Sequence, residues 1–194
     1  MTTPRIEILE YQPRWQEEFR GISSRLREGL GDAASRIDHI GSTSVPGLAA
    51  KDVIDVQITV ADLEHPRLQP ALEGLGLTWR ENITGDHLPP GMSLPASELE
   101  KRYARASAPQ RVAHVHIRVE GRFNQRYALL CRDYLRSHAG TRDAYAEVKR
   151  QLARYFPNDV DAYYDIKDPA FDLFMSGAWE WAEFTNWQVG ASDA

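Results

Sequence analysis

The chain has 194 residues, 42% of them hydrophobic and 26% charged, with a formal net charge of −5. That is the size and composition of one globular domain able to bury a core of useful volume. No apolar run approaches the roughly 18 residues of a membrane span, and the stretch from Met1 has no charged segment followed by an apolar one, so neither a span nor a secretory signal is expected.

In chain order, the first strong element is a helix from about Pro13 to Leu30. Proline stands in its first turn, and Trp15, Phe19, Ile22, Leu26 and Leu30 recur three and four residues apart. Gly31 ends it. A short strand at Arg36 to Ile40 is followed by the turn-rich Gly41-Ser-Thr-Ser-Val-Pro-Gly-Leu-Ala-Ala-Lys51, and then by a β-branched strand from Val53 to Val60. Leu63 to Leu75 reads as a helix interrupted near its start by Pro66 and Pro70, and Leu77 to Asn82 as a strand. Residues 83–99, rich in proline and glycine and without a period, form a long loop of the kind that often serves function.

Strands at Lys101 to Ala106 and Arg111 to Val119 complete the sheet. Beyond Gly121 the pattern is helical: Arg122 to Ser137, Thr141 to Phe156, Asp159 to Ile166 and Pro169 to Asn186. The expected fold is α+β, with helices on one face of a mixed sheet and a helical C-terminal part. Residues 1–194 make one domain, with a sheet-containing core over 1–120, helices over 121–187 and a disordered tail over 188–194.

Alternation on the strand Val53 to Val60 places Ile54, Val56, Ile58 and Val60 on one face, and Asp55, Gln57 and Thr59 on the other. The strand through His114 repeats this, with Ala113, Val115, Ile117 and Val119 opposite His114, His116, Arg118 and Glu120. If the two strands share a sheet, Asp55, Gln57, His114, His116 and Arg118 form one polar wall. A wetted face of an antiparallel sheet gives the same pattern with no function, so periodicity alone leaves both readings open.

The turn before the second strand adds weight to the first reading. Gly41, Ser42, Thr43 and Ser44 are small and hydroxyl-bearing, as a phosphate cradle requires, although P-loop spacing is absent. With Asp55 fourteen residues after Gly41, on the strand that follows, the layout is that of a nucleotidyltransferase site, where a Gly-Ser turn holds phosphate and strand carboxylates hold divalent metal.

The string His39-Ile-Gly-Ser-Thr-Ser-Val-Pro-Gly-Leu-Ala-Ala-Lys-Asp-Val-Ile-Asp-Val56, with His114-Val-His116 and Arg132-Asp-Tyr-Leu-Arg136, resembles the GrpB family of the nucleotidyltransferase superfamily. It is also similar to a domain that follows the kinase in some bacterial dephospho-coenzyme-A kinases. The resemblance runs from about Ile6 to Phe184. It implies a nucleotidyltransferase-like α+β core with a helical C-terminal part, and little about the reaction; the residues themselves suggest a nucleotide or other phosphorylated small molecule as partner, with Mg²⁺ or Mn²⁺ at a weak site on Asp55. Gly41, Ser42, Thr43, Ser44, Lys51, His114 and Arg118 would bind phosphate or nucleotide, and Asp55, Gln57 and His116 would hold catalytic positions. Arg126, Asp133, Arg136, Tyr145 and Lys149 match positions where that family tends to be polar.

One departure stands out. Active members of the superfamily carry a D-x-[DE] pair where this chain has Asp55 and Gln57. A neutral amide forfeits most of the attraction a hard cation needs, so a two-metal mechanism is in doubt. His114, His116 and Asp55 are considered as a His₂-carboxylate set for a softer metal, and ranked below two histidines that face an anion or Asp55. Two functions follow: a phosphate-ligand or nucleotide-binding protein, with nucleotidyl transfer at a reduced metal site, or an accessory domain that has kept the fold and lost the chemistry.

Charge is uneven along the chain. Residues 101–154 carry thirteen Lys and Arg against four acids, +9, which leaves −14 for the rest. Such a segment suggests a positive surface facing an anion, or simply wetted helix faces. Trp179, Trp181, Phe184 and Trp187 read as packing residues, so nucleic acid has no support beyond composition. Cys131, the single cysteine, lies in the apolar Tyr127-Ala-Leu-Leu-Cys and reads as a buried hydrophobe in a protein of the reducing cytoplasm.

Overall fold

A computed structural model describes residues 5–194, and Met1–Pro4, where the search for a leader begins, lie outside it. Helix α1 spans Arg14–Leu30 and buries Trp15, Phe19, Ser23, Leu26 and Leu30, the stripe its periodicity predicts, with Ile22 partly buried beside it. Gly31 ends the helix at φ +53°, a left-handed conformation that suits glycine. Strands β1 (Arg36–Ile40) and β2 (Ile54–Val60), helix α2 (Leu68–Gly74), strands β3 (Thr78–Trp79), β4 (Lys101–Ala106) and β5 (Ala113–Val119) follow. Helices α3 (Phe123–Ser137), α4 (Ala139–Tyr155) and α5 (Val160–Thr185) complete the chain.

Among the described residues the strands form one mixed sheet, in the order β1-β2-β5-β4-β3, in which β2 and β5 run parallel and the other neighbours antiparallel. Parallel pairing at the centre fits a strand buried on both faces, and every residue of β2 except Asp55 is buried. One face packs Ile37, Val56, Ile58, Val115 and Ile117 against Trp15, Phe19 and Leu26 of α1 and Leu68 and Leu72 of α2. Each fully buried aliphatic side chain of that layer contributes ~1.5–3 kcal/mol. A second cluster joins Val45 and Leu48 to Leu130, Leu135, Tyr145, Met175 and Ala178, which fastens the helical part to the Gly41 turn.

The helical part therefore stands over the sheet's other face, where Gln57 Nε2 donates to Gln125 O of α3 at 3.1 Å. Helices on one face is correct for α1 and α2, while α3 roofs part of the face expected to form the polar wall.

Three boundaries depart from expectation. The break expected at Pro169 does not occur, and α5 runs through it as one 26-residue helix. The missing N–H costs one backbone bond, which the burial of Tyr163, Met175 and Ala178 on both sides offsets. The strand expected at Leu77 to Asn82 contracts to two paired residues at the sheet edge. The tail expected to be disordered instead lies along the free edge of β1, where Ser192 Oγ accepts from Ile37 N at 3.0 Å and Asp193 Oδ2 from His39 N at 2.9 Å. It covers backbone groups that an open edge strand exposes.

Candidate functional site

The parallel register sets the floor of the site. Asp55 lies opposite His114 and Gln57 opposite His116, while β4 adds Tyr103 beside His116 and Lys101 beside Arg118. Asp55 Oδ1 is 3.3 Å from His114 Nδ1. Burial would raise the Asp55 pKa, but His114, and behind it His116 and His39, hold it below the usual carboxylate value. The Tyr103 ring meets both imidazoles edge-on, with centroids 5.7 and 5.2 Å away. Burial keeps His116 well below its ordinary pKa, reinforced by Arg118 and Lys101.

The Gly41 turn does something other than cradle phosphate with all its hydroxyls. Gly41 has φ +68°, and a Cβ there would fall 2.4 Å from Asp55 Oδ2, so glycine is required by the approach of that carboxylate. Ser44 Oγ donates to Gly41 O at 2.6 Å, inside the turn and away from the cavity described below. Thr43 Oγ1 donates to Val53 O at 3.1 Å and lies 3.1 Å from His39 Nε2. The Ser42 hydroxyl meets a cation: it accepts from Lys149 Nζ at 2.9 Å. Arg136 does not reach the site but donates to Ser44 O, at 2.9 Å from Nη2 and 3.2 Å from Nε.

Gln57 is 0% exposed and does not border the cavity. Its Oε1 accepts from Arg118 Nη1 at 2.6 Å. Arg118 in turn grips Asp86, with Nε to Oδ2 at 2.8 Å and Nη2 to Oδ1 at 3.0 Å, and Lys101 Nζ reaches Asp86 Oδ1 at 2.6 Å. Burial opposes ionisation of Asp86, yet Arg118 and then Lys101 hold its pKa far below the ordinary value. Sequence reasoning missed Asp86, because it lies in the loop 83–99 with no period to place it. The loop's length was the available signal.

Between this floor and α3, α4 and α5 lies a cavity of about 400 Å³. Asp55, His114, His116, Ser42, Thr43 and Arg118 border it, as do Gly41 and Lys51, so most of the predicted site residues are brought together; Gln57 and Ser44 are not. The helical part contributes Lys149, Lys167, Tyr145, Tyr163 and Tyr164. Lys51 Nζ donates to Tyr164 OH at 2.5 Å and stands 4.5 Å above that ring. Lys149 is 3% exposed, and its partners are Ser42 Oγ and, at 2.6 Å, Ala49 O, a hydroxyl and a carbonyl in place of a carboxylate. Burial, helped by nearby Lys167, pulls its pKa down to about 7.

These residues do not fit the paired divalent metals of an active nucleotidyltransferase. Asp55 has no second carboxylate beside it, Gln57 is locked to Arg118 and Gln125, and Asp86 is neutralised by two cations. His114, His116 and Asp55 also fail as a set, because His116 Nδ1 faces Lys101 Nζ and Arg118 Nη2, each at 3.5 Å, whose charges oppose a metal ion. Among the described residues no three His, Cys, Asp or Glu side chains are grouped to hold a metal.

Fold and site together define an α+β domain with a cavity, lined by lysine, arginine and aspartate side chains among apolar ones, between a mixed sheet and a helical cap. The chain belongs to the GrpB family, described as GrpB protein, whose model matches residues 5–176. The crystal structure of the conserved protein GrpB from Enterococcus faecalis aligns with a TM-score of 0.67 at 29% identity, over 89% of this chain and 99% of that one. The UPF0157 protein BH1888 of Halalkalibacterium halodurans is 34% identical over 89% of this chain and 82% of its own length. The dephospho-CoA kinase of Mycolicibacterium paratuberculosis is 35% identical over 94% of this chain but only 48% of its own, so the chain spans about half the length of such relatives. Among the described residues no helix is long and apolar enough to cross a membrane.

Proposed function

We propose that this protein binds a phosphorylated small molecule, of the nucleotide class, with its phosphate directed at Lys149 and Ser42. One observation carries the reading: Lys149, nearly fully buried, projects into a cavity with no carboxylate as its bonded partner, and Lys51 and Lys167 border the same space. An anion arriving there meets in Lys149 an ammonium whose desolvation the fold has already met, so the charge-assisted hydrogen bond it forms is strong, while Lys167 is already paired with Asp168. Asp55 keeps the other side of the floor anionic and holds His114 beside it. Nucleotidyl transfer would need a second metal-binding acid, and Gln57 does not supply one, so the proposal stops at binding.

The accessory reading has its own support in that same buried amide and in the two-domain length of the dephospho-CoA kinases this chain matches. Isothermal titration separates the two. ATP, CTP, GTP, UTP and inorganic pyrophosphate are titrated with and without Mg²⁺; the binding reading expects heat with at least one of them, lost in Lys149→Met. Absence of heat with every ligand removes it and leaves the accessory role.

A further inference from the structure

Going beyond ligand binding, we infer that Ser42 is a nucleophile and Lys149 its general base, a pair suited to acyl transfer from esters with a small apolar acyl group.

The three hydroxyls of the Gly41 turn differ in what receives their proton. Those of Ser44 and Thr43 donate to the carbonyls of Gly41 and Val53, which cannot take a proton away. Ser42 is half-buried on the cavity wall, and its Oγ lies 2.9 Å from Lys149 Nζ, an amine able to do so. A lysine acts as a base only where nothing holds it charged. Lys149 has as near neighbours a carbonyl, a hydroxyl and the Tyr145 ring, whose centroid is 4.6 Å away. With its extra proton it donates to both oxygens. Without it, one N–H stays on Ala49 O at 2.6 Å and the lone pair receives the Ser42 hydroxyl, so both groups remain bonded in the reactive form. The turn itself is fixed, because Gly41 packs on Asp55 and Val45 lies in the cluster with Leu130 and Leu135. A positioned serine hydrogen-bonded to a buried lysine is an arrangement that catalysis reuses on unrelated folds.

Ser42 Oγ bonds to the acyl carbon as its proton passes to Lys149 Nζ. The ester C–O bond breaks, the departing alkoxide takes that proton, and water, deprotonated by the same amine, later frees the acyl group as the acid. Lys51 borders the same space and brings an ammonium to the negative charge that develops on the acyl oxygen. Ile40, Val45, Ala50 and Val53 offer an apolar surface for the acyl chain. Burial, and after it Lys167 of α5, bring Lys149 down to about 7, and Arg150 of α4 and Lys51 act in the same direction. Lys167 is itself paired with Asp168. Burial pushes the facing Cys131 thiol of α3 up to about 12 and the Tyr145 phenol well above its ordinary value, so neither carries charge at neutral pH.

The test treats the wild type, Ser42→Ala and Lys149→Met with an alkyl fluorophosphonate and locates the label by peptide mass spectrometry. It also follows nitrophenolate release from 4-nitrophenyl butyrate between pH 6 and 9, with thermal unfolding to show that each protein is folded. The wild type should be labelled at Ser42, and its rate of release should rise about tenfold from pH 6 to 8 and then level off. Lys149→Met should slow both reactions about a hundredfold or more and flatten the pH profile, and Ser42→Ala should abolish the label. A label on another residue, no label on folded wild type, or an unchanged rate in Lys149→Met overturns the pair. If a variant does not fold, the wild-type label position and pH profile decide. Heat with pyrophosphate but no label keeps phosphate binding and removes this activity, whereas a label with no heat from any phosphate does the reverse.

Discussion

Replacing Lys149 by methionine tests the central claim, because it keeps the side-chain length and removes the charge. Burial moves Lys149 from 10.5 to about 7. At 1.36 kcal/mol per pH unit that amounts to a native-state penalty on the order of 5 kcal/mol for keeping the ammonium charged. The unfolded chain holds this proton between pH 7 and 10.5 while the folded one releases it, so wild-type stability should rise with pH in that window, at up to about 1.4 kcal/mol per unit. Methionine escapes the penalty but leaves Ala49 O, now accepting at 2.6 Å, without its donor, a loss of about 1–3 kcal/mol. The variant should therefore be more stable than wild type at pH 6 by roughly 2–4 kcal/mol, and no more stable, or less, near pH 10. Urea unfolding of both proteins at intervals from pH 6 to 10 reads this directly, since other titrating groups cancel in the difference. A difference that stays flat across the range would mean Lys149 is not a desolvated ammonium, and the phosphate site would lose its main support.

Four further outcomes follow from the same geometry. Gly41→Ala should cost about 2–5 kcal/mol in chemical denaturation, because its φ of +68° and the 2.4 Å approach to Asp55 both resist a Cβ; a variant as stable as wild type would refute the contact. Asp86→Ala strands Arg118 and Lys101 and should cost about 3–5 kcal/mol at pH 7. Because the Asp86 pKa lies below its ordinary 3.8, that difference should persist above this value and shrink as pH falls beneath it, which unfolding at pH 3 against pH 7 will show. Gln57→Asp should lose the bond to Gln125 O, destabilise by about 1–3 kcal/mol and leave Mn²⁺ affinity in calorimetry unchanged; a gain in Mn²⁺ binding would place position 57 on the cavity after all. Treatment with EDTA should alter nucleotide affinity by less than about threefold, and a larger fall would mean that a metal bridges ligand and Asp55.

The sheet was legible because each strand that matters alternates in the sequence. Period puts His114 and His116 on one face of their strand and Asp55 on the polar face of its own, and the parallel pairing of β2 with β5 makes those faces one. What alternation cannot say is which residues of that face stay open. Gln57 and Thr59 have the same parity as Asp55, yet both are buried, Gln57 against Gln125 O of α3, and the placing of α3 depends on the second cluster anchoring the helical part to Val45 and Leu48. Asp86 was illegible for a different reason: its position follows from bonds to Lys101, Arg118 and Asn124, contacts between a loop and three separate elements. The serine-rich turn illustrates a third limit. Its composition is that of an anion cradle, but Ser44 and Thr43 spend their hydroxyls on Gly41 O and Val53 O, so small polar residues were needed to build the turn itself.

The basic segment also changes meaning once it is folded. Arg111 pairs with Glu18 and Asp52, Arg132 with Asp193, and Arg118 and Lys101 with Asp86, so acids scattered over the remainder of the chain neutralise part of the +9 internally. Lys149 is left as the cation with neither solvent nor a carboxylate to stabilise it. In a metal-dependent transferase, carboxylates bring positive charge to the phosphate through the ions they hold. Here an amide stands in the second carboxylate's place, bonded to a guanidinium, and the positive charge is carried by the protein's own side chains on the opposite wall. A phosphate site built as proposed would need no metal in order to bind, whereas drawing electrons from the phosphorus and stabilising a departing pyrophosphate would call for charge beyond these side chains. On the proposed reading, that arrangement gives the cavity's polar residues the work of recognising a ligand and asks nothing of the position that Gln57 occupies.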